Sequence, residues 1–364
     1  MALLKSEFLV SVVVITYNQE KFIKKAIDSI LEQETSFEVE IIIGDDNSTD
    51  LTREILKRYE EMNGRIRVIY RDENIGAIPN FIETFKEASG RYIALCEGDD
   101  YWLEPTKLQQ QIDFLENNST HSLVFHPVSV VFDDSKDESY TYPAEKSDFT
   151  VENLLRSNFI QTNSVVYRSL GKKVYRRLVS NLMPGDWYLH VFHAKYGEIG
   201  FIDKIMSVYR RHKDGLWRQD TEDYLDKIWI NHGLGHLSLY EEMIKIYGNK
   251  KPYSDIIWGN ITSLFNISKR IDERKGERLV DNLTKNKHTT AATLIGRLLD
   301  DNSRLSNESV SLSRELTDSK EIKDELEALL KQKSYELDAI KQSKAWKLAH
   351  FLGKFSRLGI SEDK

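Results

Sequence analysis

Two adjacent carboxylates stand in the segment Cys96–Trp102, which reads CEGDDYW. They follow the apolar run Tyr92–Leu95, at the point where a strand is expected to end. Carboxylates as close as Asp99 and Asp100 repel each other, and burial strengthens the repulsion unless a cation or hydrogen-bond donors offset it. Mg²⁺ and Mn²⁺ commonly take one or two protein carboxylates and complete their shell with water and diphosphate oxygens. The pair is therefore either a solvated turn or part of a divalent-cation site.

Polar residues also follow two earlier apolar runs, in the segments TYNQE (residues 16–20) and GDDNSTD (residues 44–50). The residues that end the second segment are good helix N-caps, which accounts for them but not for the aspartates before them. The carboxylate of Asp46 can accept a hydrogen bond from a nucleobase imide N–H, and the ring of Tyr17 offers a face for stacking. These two residue types predict a pyrimidine-binding pocket.

Alternating strand and helix patterns fill the first hundred residues. The short, nearly continuous apolar runs FLVSVVVIT, EVEIIIG, IRVIY and RYIALC are typical of strands covered on both faces of a mostly parallel sheet. The segments between them carry apolar residues every three or four positions, as amphipathic helices do. This order predicts a doubly wound α/β fold, in which ligands bind beyond the carboxyl ends of the strands. All three polar clusters are expected at that edge.

The pattern is less regular after Trp102. It predicts a helix from about residue 106 to 117 and another in MPGDWYLHVFHAKYG. Strand-like segments are HSLVFHPVSVVF, NSVVYR and IGFIDKIMSVYRRH, which indicate a mixed second half of the sheet. The predicted organisation is a catalytic domain over residues 1–217 and a helical region over 218–300.

The last part of the chain differs in composition. Apolar residues spaced by threes, fours and sevens predict a coiled coil over residues 301–342, and hence a possible homo-oligomer. Residues 343–364 combine basic and apolar side chains, which predicts an amphipathic tail for an anionic membrane surface. A helix docked on the protein itself is the alternative for this tail. No apolar run reaches the length of a membrane-spanning helix, so the expected membrane contact is peripheral.

Composition narrows the class of protein. The 364 residues include 40% hydrophobic ones, enough for a real core. The formal charge of −7 argues against a general nucleic-acid binder. The single cysteine, Cys96, excludes an intramolecular disulfide and suits a reducing compartment, so a cytoplasmic location is expected. The apolar N-terminal stretch is interpreted as a first strand rather than a signal peptide.

The motifs together resemble the family 2 glycosyltransferases, inverting enzymes of the GT-A fold that are common in bacterial polysaccharide assembly. The resemblance rests on VSVVVITYNQEKFIKKAIDSILEQ, IIIGDDNSTD, NIGAIPNF and GRYIALCEGDDYWLEPTKLQQQIDFLE, in that order. It implies that Asp46 binds a pyrimidine base, with Thr16 and Tyr17 beside it. It also implies that GDD is the metal-binding DXD-type motif, with Asp99 near the ribose and diphosphate. Asp100 would then be the direct ligand of Mn²⁺ or Mg²⁺.

The sequence departs from a literal D-x-D, because Glu97 stands where the first aspartate would be. An inverting transfer needs a carboxylate that takes the proton of the acceptor hydroxyl. Asp186 matches the family's catalytic aspartate, and the alternative is a helix N-terminal acid stabilised by the macrodipole.

The segment VYRRHKDGLW resembles the family's YR-x-H segment, which closes over the donor. It implies that Arg210 and Arg211 contact the donor diphosphate and that His212 is a metal ligand or a phosphate contact. Polar residues at predicted strands are weaker candidates for acceptor contacts. They are Gln161, Thr162, Asn163 and His126.

The sequence thus predicts a metal-dependent transferase that moves a sugar from a UDP- or dTDP-sugar to a saccharide or lipid-linked saccharide in cell-surface polysaccharide synthesis. The tail would hold the enzyme at the inner face of the cell membrane. One alternative is a nucleotidyltransferase, although the segment TYNQEKF lacks the glycine that such enzymes carry after the first strand. The other is a non-catalytic scaffold that recruits partners through its coiled coil.

Overall fold

The computed structural model describes residues 9–133, 138–143, 148–180, 182–215 and 224–271, together with residue 331. The strands are β1 (Val10–Thr16), β2 (Val39–Asp45), β3 (Ile66–Tyr70), β4 (Tyr92–Glu97), β5 (Tyr101–Trp102), β6 (His121–Phe125), β7 (Val128–Phe132), β8 (Tyr140–Tyr142), β9 (Val166–Arg168), β10 (Glu198–Phe201) and β11 (Ser207–Arg211). The α-helices are α1 (Ile23–Leu31), α2 (Thr52–Met62), α3 (Ala77–Phe85), α4 (Lys107–Asn117), α5 (Val151–Arg156), α6 (Lys172–Tyr175), α7 (Gly185–Ala194), α8 (Tyr224–Tyr247) and α9 (Tyr253–Ile271). Residues Thr162–Ser164 form a short 3₁₀ helix.

The main sheet has seven strands in the order β10-β6-β9-β4-β1-β2-β3. Its strand pairs are parallel except those of β9, which runs antiparallel to β4 and β6. Strand β4 is buried at every residue before Glu97, as expected for a strand covered on both faces. The predicted mostly parallel α/β sheet is confirmed, and the carboxyl ends of β1, β2 and β4 lie side by side.

A second sheet of four strands has the order β5-β11-β7-β8. The sequence predicted HSLVFHPVSVVF as one strand-like segment, but it divides at His126 and Pro127 into β6 and β7 of different sheets. Proline has no backbone N–H for a strand ladder, which favours the break. Likewise, IGFIDKIMSVYRRH divides into β10 and β11. Because β11 pairs with β5, the segment around Arg210 lies directly beside the acidic turn.

The chain divides into two compact units. The first comprises Met1–Leu225 and Gly235–Ile246, and the second comprises Asp226–Leu234 and Tyr247–Lys364. The predicted domain boundary at residue 217 stays a prediction. The predicted coiled coil over 301–342, apart from residue 331, and the predicted tail over 343–364 lie outside the described residues. Within the described ranges, no helix has the length and hydropathy needed to cross a membrane.

The buried lysine Lys107 contacts β5, the strand that follows the acidic turn. The side chain of Lys107 is fully buried, and its Nζ donates to Gln111 Oε1 at 2.8 Å. The same Nζ lies 4.0 Å from the centroid of the Trp102 ring, a cation–π distance. Trp102 in turn donates its Nε1 to the carbonyl of Asn163 at 3.1 Å. This group of side chains fixes β5 against α4 next to the site.

Replacing Lys107 with methionine is expected to change how stability depends on pH. Burial lowers the pKa of Lys107 to about 7 in the folded protein, against 10.5 for an ordinary lysine. Between these values the unfolded chain binds a proton that the folded chain lacks, so wild-type stability rises with pH. The rise is up to about 1.4 kcal/mol per pH unit relative to Lys107→Met, which has no such proton. As the pH is raised from about 7 towards 10.5, the calorimetric melting temperature of the wild type should therefore rise relative to that of Lys107→Met.

The exposed lysine Lys57 supplies the matched control. The difference in melting temperature between Lys57→Met and the wild type should not depend on pH in this way. Parallel pH profiles for wild type and Lys107→Met would contradict the assignment of a depressed pKa to Lys107.

Candidate functional site

A cavity of about 360 Å³ opens at the carboxyl ends of β1 and β4, within the size range of small-molecule sites. Parallel pairing brings Ile15 of β1 beside Glu97 of β4, so both strands deliver their last residues to this edge. Five of the predicted site residues line it: Asp99, Asp186, Arg210, Arg211 and His212. The other predicted residues, Thr16, Tyr17, Asp46 and Asp100, do not line this cavity.

The two aspartates of the acidic turn have different surroundings. Asp99 lines the cavity, and its Oδ2 lies 3.0 Å from His212 Nε2. Asp100 is 1% exposed, and both of its carboxylate oxygens are hydrogen bonded. Its Oδ1 accepts from the backbone N–H of Arg210, and its Oδ2 accepts from Asn163 Nδ2, each at 2.8 Å. These contacts differ from the expected role of Asp100 as the direct metal ligand, because its oxygens hold β11 rather than face the cavity.

Gly98 allows the turn to approach β1 closely. A Cβ atom at this position would lie 2.3 Å from Gln19 Oε1 and 3.0 Å from the Ile15 carbonyl oxygen. The end of the flexible Gln19 side chain can move away, but the backbone contact with Ile15 would require a shift of a few tenths of an ångström. Glycine therefore suits this close approach of the turn to β1.

Negative charge accumulates on this turn. Burial raises the pKa of Glu97 well above its usual range, and the nearby carboxylates of Asp99 and Asp186 raise it further. Burial also raises the pKa of Asp100, with added repulsion from Asp99 and Glu97. A bound cation would offset this repulsion and favour the ionised carboxylates. Glu97, whose role the sequence left open, lines the cavity, and its pKa responds to the charges of Asp99 and Asp186.

Asp186 lies in the first turn of α7, where the positive end of the helix dipole stabilises a carboxylate. Its Oδ2 accepts hydrogen bonds from Asn158 Nδ2 at 3.0 Å and from Thr162 Oγ1 at 3.3 Å. Burial nevertheless raises the pKa of Asp186, and these hydrogen bonds limit the rise. The side chain is 21% exposed and lines the cavity. Asp186 is thus an oriented carboxylate that is more basic than an exposed aspartate.

His190 stands one helical turn after Asp186 and does not neutralise it. Its Nε2 is 3.8 Å from Asp186 Oδ2, too long for a hydrogen bond. Burial lowers the pKa of His190 to about 3, with a contribution from His193, so the ring is neutral. Its Nδ1 lies 2.6 Å from the hydroxyl oxygen of Tyr167.

Arg210 and Arg211 face different surroundings, because successive residues of a strand point to opposite faces. The Nε of Arg210 donates to the Asp99 carbonyl oxygen, and its Nη1 donates to Asp133 Oδ2, both at 2.8 Å. The guanidinium of Arg211 instead lies over the rings of Tyr209 and Phe132. The two arginines therefore line one cavity with different partners, and their shared contact with the diphosphate stays a prediction.

The three predicted base-binding residues lie at the neighbouring ends of β1 and β2. The backbone N–H of Asp46 donates to the Thr16 carbonyl oxygen at 3.0 Å. The Asp46 carboxylate is 2% exposed and accepts from the backbone N–H groups of Ile75 and Gly76 at 2.8 and 2.9 Å. The side chain of Tyr17 is 46% exposed. Asp46 thus holds the loop that leads into α3, and Tyr17 presents its ring to solvent.

The weaker acceptor candidates take separate places. Gln161 and Thr162 line the cavity. Asn163 is fully buried and holds Asp100, and His126 is fully buried outside the cavity lining. The sequence missed polar and aromatic residues that line it, among them Asn158, Tyr140, Tyr142 and Tyr209. Tyr209 had a usable signal, since it stands two positions before Arg211 and therefore shares its strand face.

The comparisons with known proteins agree on one family. The family model described as Glycosyl transferase family 2 matches residues 11–212. An uncharacterized protein of Mycobacterium tuberculosis is 43% identical over 244 residues, which is 66% of this chain and 70% of that protein. A protein of Bacillus subtilis whose name proposes a teichuronic acid biosynthesis glycosyltransferase is 40% identical over 111 residues, 30% of this chain and 43% of that protein.

Solved structures show the same fold. TarS 1–349 of S. aureus, in complex with UDP-GlcNAc, has a TM-score of 0.54 and 19% sequence identity to this chain. The similarity covers 75% of this chain and 79% of TarS 1–349.

Proposed function

The chain belongs to glycosyl transferase family 2, and from this premise we propose that it transfers a sugar from a nucleotide diphosphate donor to a saccharide or lipid-linked saccharide. It is a glycosyltransferase of the GT-A fold. The observation that carries the finer proposal is one cavity that holds Asp186 opposite the acidic turn of Glu97 and Asp99. An inverting transfer needs an oriented base, and an acidic turn can hold the divalent cation that binds the donor diphosphate.

For the donor, we propose UDP- or dTDP-sugars. The exposed ring of Tyr17 follows Thr16 at the end of β1 and offers a stacking face for the base. The buried carboxylate of Asp46 holds the loop before α3, and base binding by Asp46 is part of this proposal. Arg210 and His212 lie next to Asp99, on the side where the diphosphate would bind. Their positive or hydrogen-bonding groups suit a phosphate oxygen.

The site residues fit a divalent cation. Asp99 and His212 offer an oxygen and a nitrogen 3.0 Å apart. The pKa of Glu97 is raised mainly by burial and further by the carboxylates of Asp99 and Asp186, and a bound cation would oppose that second effect. The described residues contain no group of three or more metal-ligating side chains, so water and donor phosphates must complete the shell. We assign Asp99 and His212 as ligands of Mn²⁺ or Mg²⁺, and assign Asp100 to support. When bound, the cation supplies positive charge for the departing diphosphate.

In the proposed reaction, Asp186 accepts the proton of the acceptor hydroxyl. The hydroxyl oxygen forms a bond to the anomeric carbon from the face opposite the donor diphosphate. The bond between that carbon and the diphosphate breaks, and the nucleoside diphosphate leaves with the electron pair. Asn158 and Thr162 orient the base through their hydrogen bonds to its Oδ2.

For the biological setting, we propose polysaccharide synthesis at the cytoplasmic face of the cell membrane. The name of the B. subtilis relative supports polysaccharide biosynthesis. The composition of residues 343–364 supports a cytoplasmic enzyme at the inner face of the membrane, and the heptads over 301–342 support self-association. The family match overturns the nucleotidyltransferase alternative. The scaffold alternative predicts no turnover and is addressed by the experiment below.

Purified wild-type protein is expected to cleave one or more nucleotide sugars slowly in water, with a dependence on Mn²⁺. Water then takes the place of the acceptor, and Asp186 accepts its proton. A panel of UDP- and dTDP-sugars, headed by UDP-GlcNAc, the ligand of the TarS structure, is assayed for released nucleotide with and without chelator. Absence of both UDP binding and donor cleavage across the panel would contradict the proposed function.

A further inference from the structure

One face of the second sheet carries aromatic residues around a single arginine. Strand register places Tyr209 opposite Val130 and Arg211 opposite Phe132, while Val130 is also opposite Tyr140. Tyr142 lies two residues from Tyr140 and therefore shares its face. We refer to Tyr140, Tyr142, Tyr209 and Arg211 as the aromatic platform. All four line the cavity that holds Asp186.

Hydrogen bonds connect the platform to the proposed base. The Tyr142 hydroxyl donates to the Asn158 carbonyl oxygen at 2.5 Å, and the Asn158 side chain donates to Asp186 at 3.0 Å. Tyr140 is 42% exposed, so one ring is open to an incoming molecule. The platform is thus on the acceptor side of the cavity, next to the group that removes the acceptor proton.

Arg211 is a partly buried cationic residue, and two of its nitrogen atoms are buried with unused hydrogen-bond donors. Its Nε and Nη1 are buried without a hydrogen-bond partner among the described residues. Its guanidinium carbon lies 5.5 Å from the Tyr209 ring centroid and 5.9 Å from that of Phe132. The aromatic ring faces offset part of the free-energy cost of removing the guanidinium from water. They do not replace the in-plane hydrogen bonds that an anion would accept from its N–H groups. The planar fork of arginine matches a carboxylate or phosphate in two places.

The neighbouring Arg210 differs from Arg211 because its guanidinium has hydrogen-bond partners. Arg210 donates to Asp99 and Asp133 and is thereby anchored to the acidic turn. Arg211 has no such acidic partner among the described residues. The sequence assigned both to the donor diphosphate, but only Arg210 lies against Asp99.

We propose that the aromatic platform is an acceptor subsite for an anionic sugar, with Arg211 bound to a carboxylate or phosphate of that sugar and the tyrosine rings packed on its apolar face. This inference rests on the proposed function and adds the acceptor class to it. Sugar rings present C–H groups that pack on aromatic faces, and aromatic residues combine this apolar area with a polar hydroxyl. An anionic acceptor would pair these Arg211 N–H groups and gain affinity from them, whereas a neutral acceptor would gain none.

The test compares matched glycosides on wild-type protein saturated with Mg²⁺ and UDP, which fill the donor side. The probes are methyl β-D-glucuronide, methyl β-D-glucoside and glucose 1-phosphate, with binding followed by saturation-transfer NMR. One or both anionic probes are expected to bind at least about tenfold more tightly than the neutral glucoside, as a charge-assisted hydrogen bond implies. The preference for the glucuronide over the phosphate, or the reverse, identifies the anion.

Variants assign the preference to Arg211. Arg211→Gln should bind all three probes with similar, weak affinity, and Arg211→Lys should retain a smaller preference because it keeps the charge but loses the fork. Arg177→Gln, at an exposed position, should behave as wild type. If Arg211→Gln does not fold, the reduced preference of Arg211→Lys remains the readout.

Two outcomes would overturn the inference while leaving the proposed function intact. The first is UDP binding by wild type together with equal or undetectable binding of the charged and neutral glycosides. The second is that the Arg211 variants lose affinity for UDP itself, or for UDP-glucuronic acid but not UDP-glucose, which would place the anion on the donor. Failure of wild type to bind UDP would instead count against the proposed function.

Discussion

Asparagine at position 186 is expected to lower the rate of donor cleavage by about 10²- to 10⁴-fold while UDP affinity stays near that of wild type, because general-base catalysis supplies a factor of that size. The substitution removes the basic oxygen but keeps the shape of the side chain. The contacts with Asn158 and Thr162 can persist, since the asparagine oxygen can accept from both. The measurement is released nucleotide for the most active donor of the panel, together with calorimetric titration of UDP.

The pH profile separates a base from a merely structural carboxylate. Burial raises the pKa of Asp186, and only the ionised form accepts a proton. Wild-type activity should therefore fall as the pH drops through this raised pKa, and the residual activity of Asp186→Asn should lack that limb. Asp113→Asn, on an exposed part of α4, serves as the control and should match wild type. Loss of UDP binding in Asp186→Asn would move this residue to the donor side.

The first half of the fold was predictable because β1, β2 and β4 are buried on both faces. A run such as that of β4 has no polar residue before Glu97, so its boundaries and its place in a parallel sheet follow from local sequence. The division of residues 121–132 between two sheets was not predictable in the same way. Both halves of that segment have strand composition, and their separation depends on tertiary pairing of β7 with β11.

In the site, too, some features follow from the local sequence and others depend on contacts between residues distant in sequence. Convergence of strand ends predicted that the acidic turn would lie at this edge of the sheet, and the family resemblance supplied Asp186. It could not tell which of two adjacent aspartates faces the cavity, since that depends on Asn163 and on the backbone of Arg210, both distant in sequence. Strand alternation at β11 could have separated Arg210 from Arg211, but the family resemblance grouped them.

The single substitutions Asp99→Asn and Asp100→Asn are expected to have different effects, the first on Mn²⁺-dependent UDP binding and the second on stability. In Asp99→Asn, the affinity for UDP in the presence of Mn²⁺ should fall by about tenfold or more, because one anionic oxygen ligand is lost. Its melting temperature should change little, since Asp99 is partly exposed and, among the described residues, its side chain hydrogen bonds with His212 alone. Titration of UDP with and without Mn²⁺ measures the first quantity, and differential scanning calorimetry measures the second.

Asp100→Asn should instead lower the melting temperature by several degrees. Its UDP affinity should still depend on Mn²⁺, and more strongly than that of Asp99→Asn. Asparagine can still accept from the Arg210 N–H, but its amide nitrogen then faces the donor Nδ2 of Asn163, so one buried hydrogen bond is lost. Such a loss costs about 1–3 kcal/mol. If Asp100→Asn loses Mn²⁺-dependent UDP binding at an unchanged melting temperature while Asp99→Asn keeps it, Asp100 is the direct ligand after all. The pair of variants therefore decides between the motif-based assignment and the one that the buried hydrogen bonds favour.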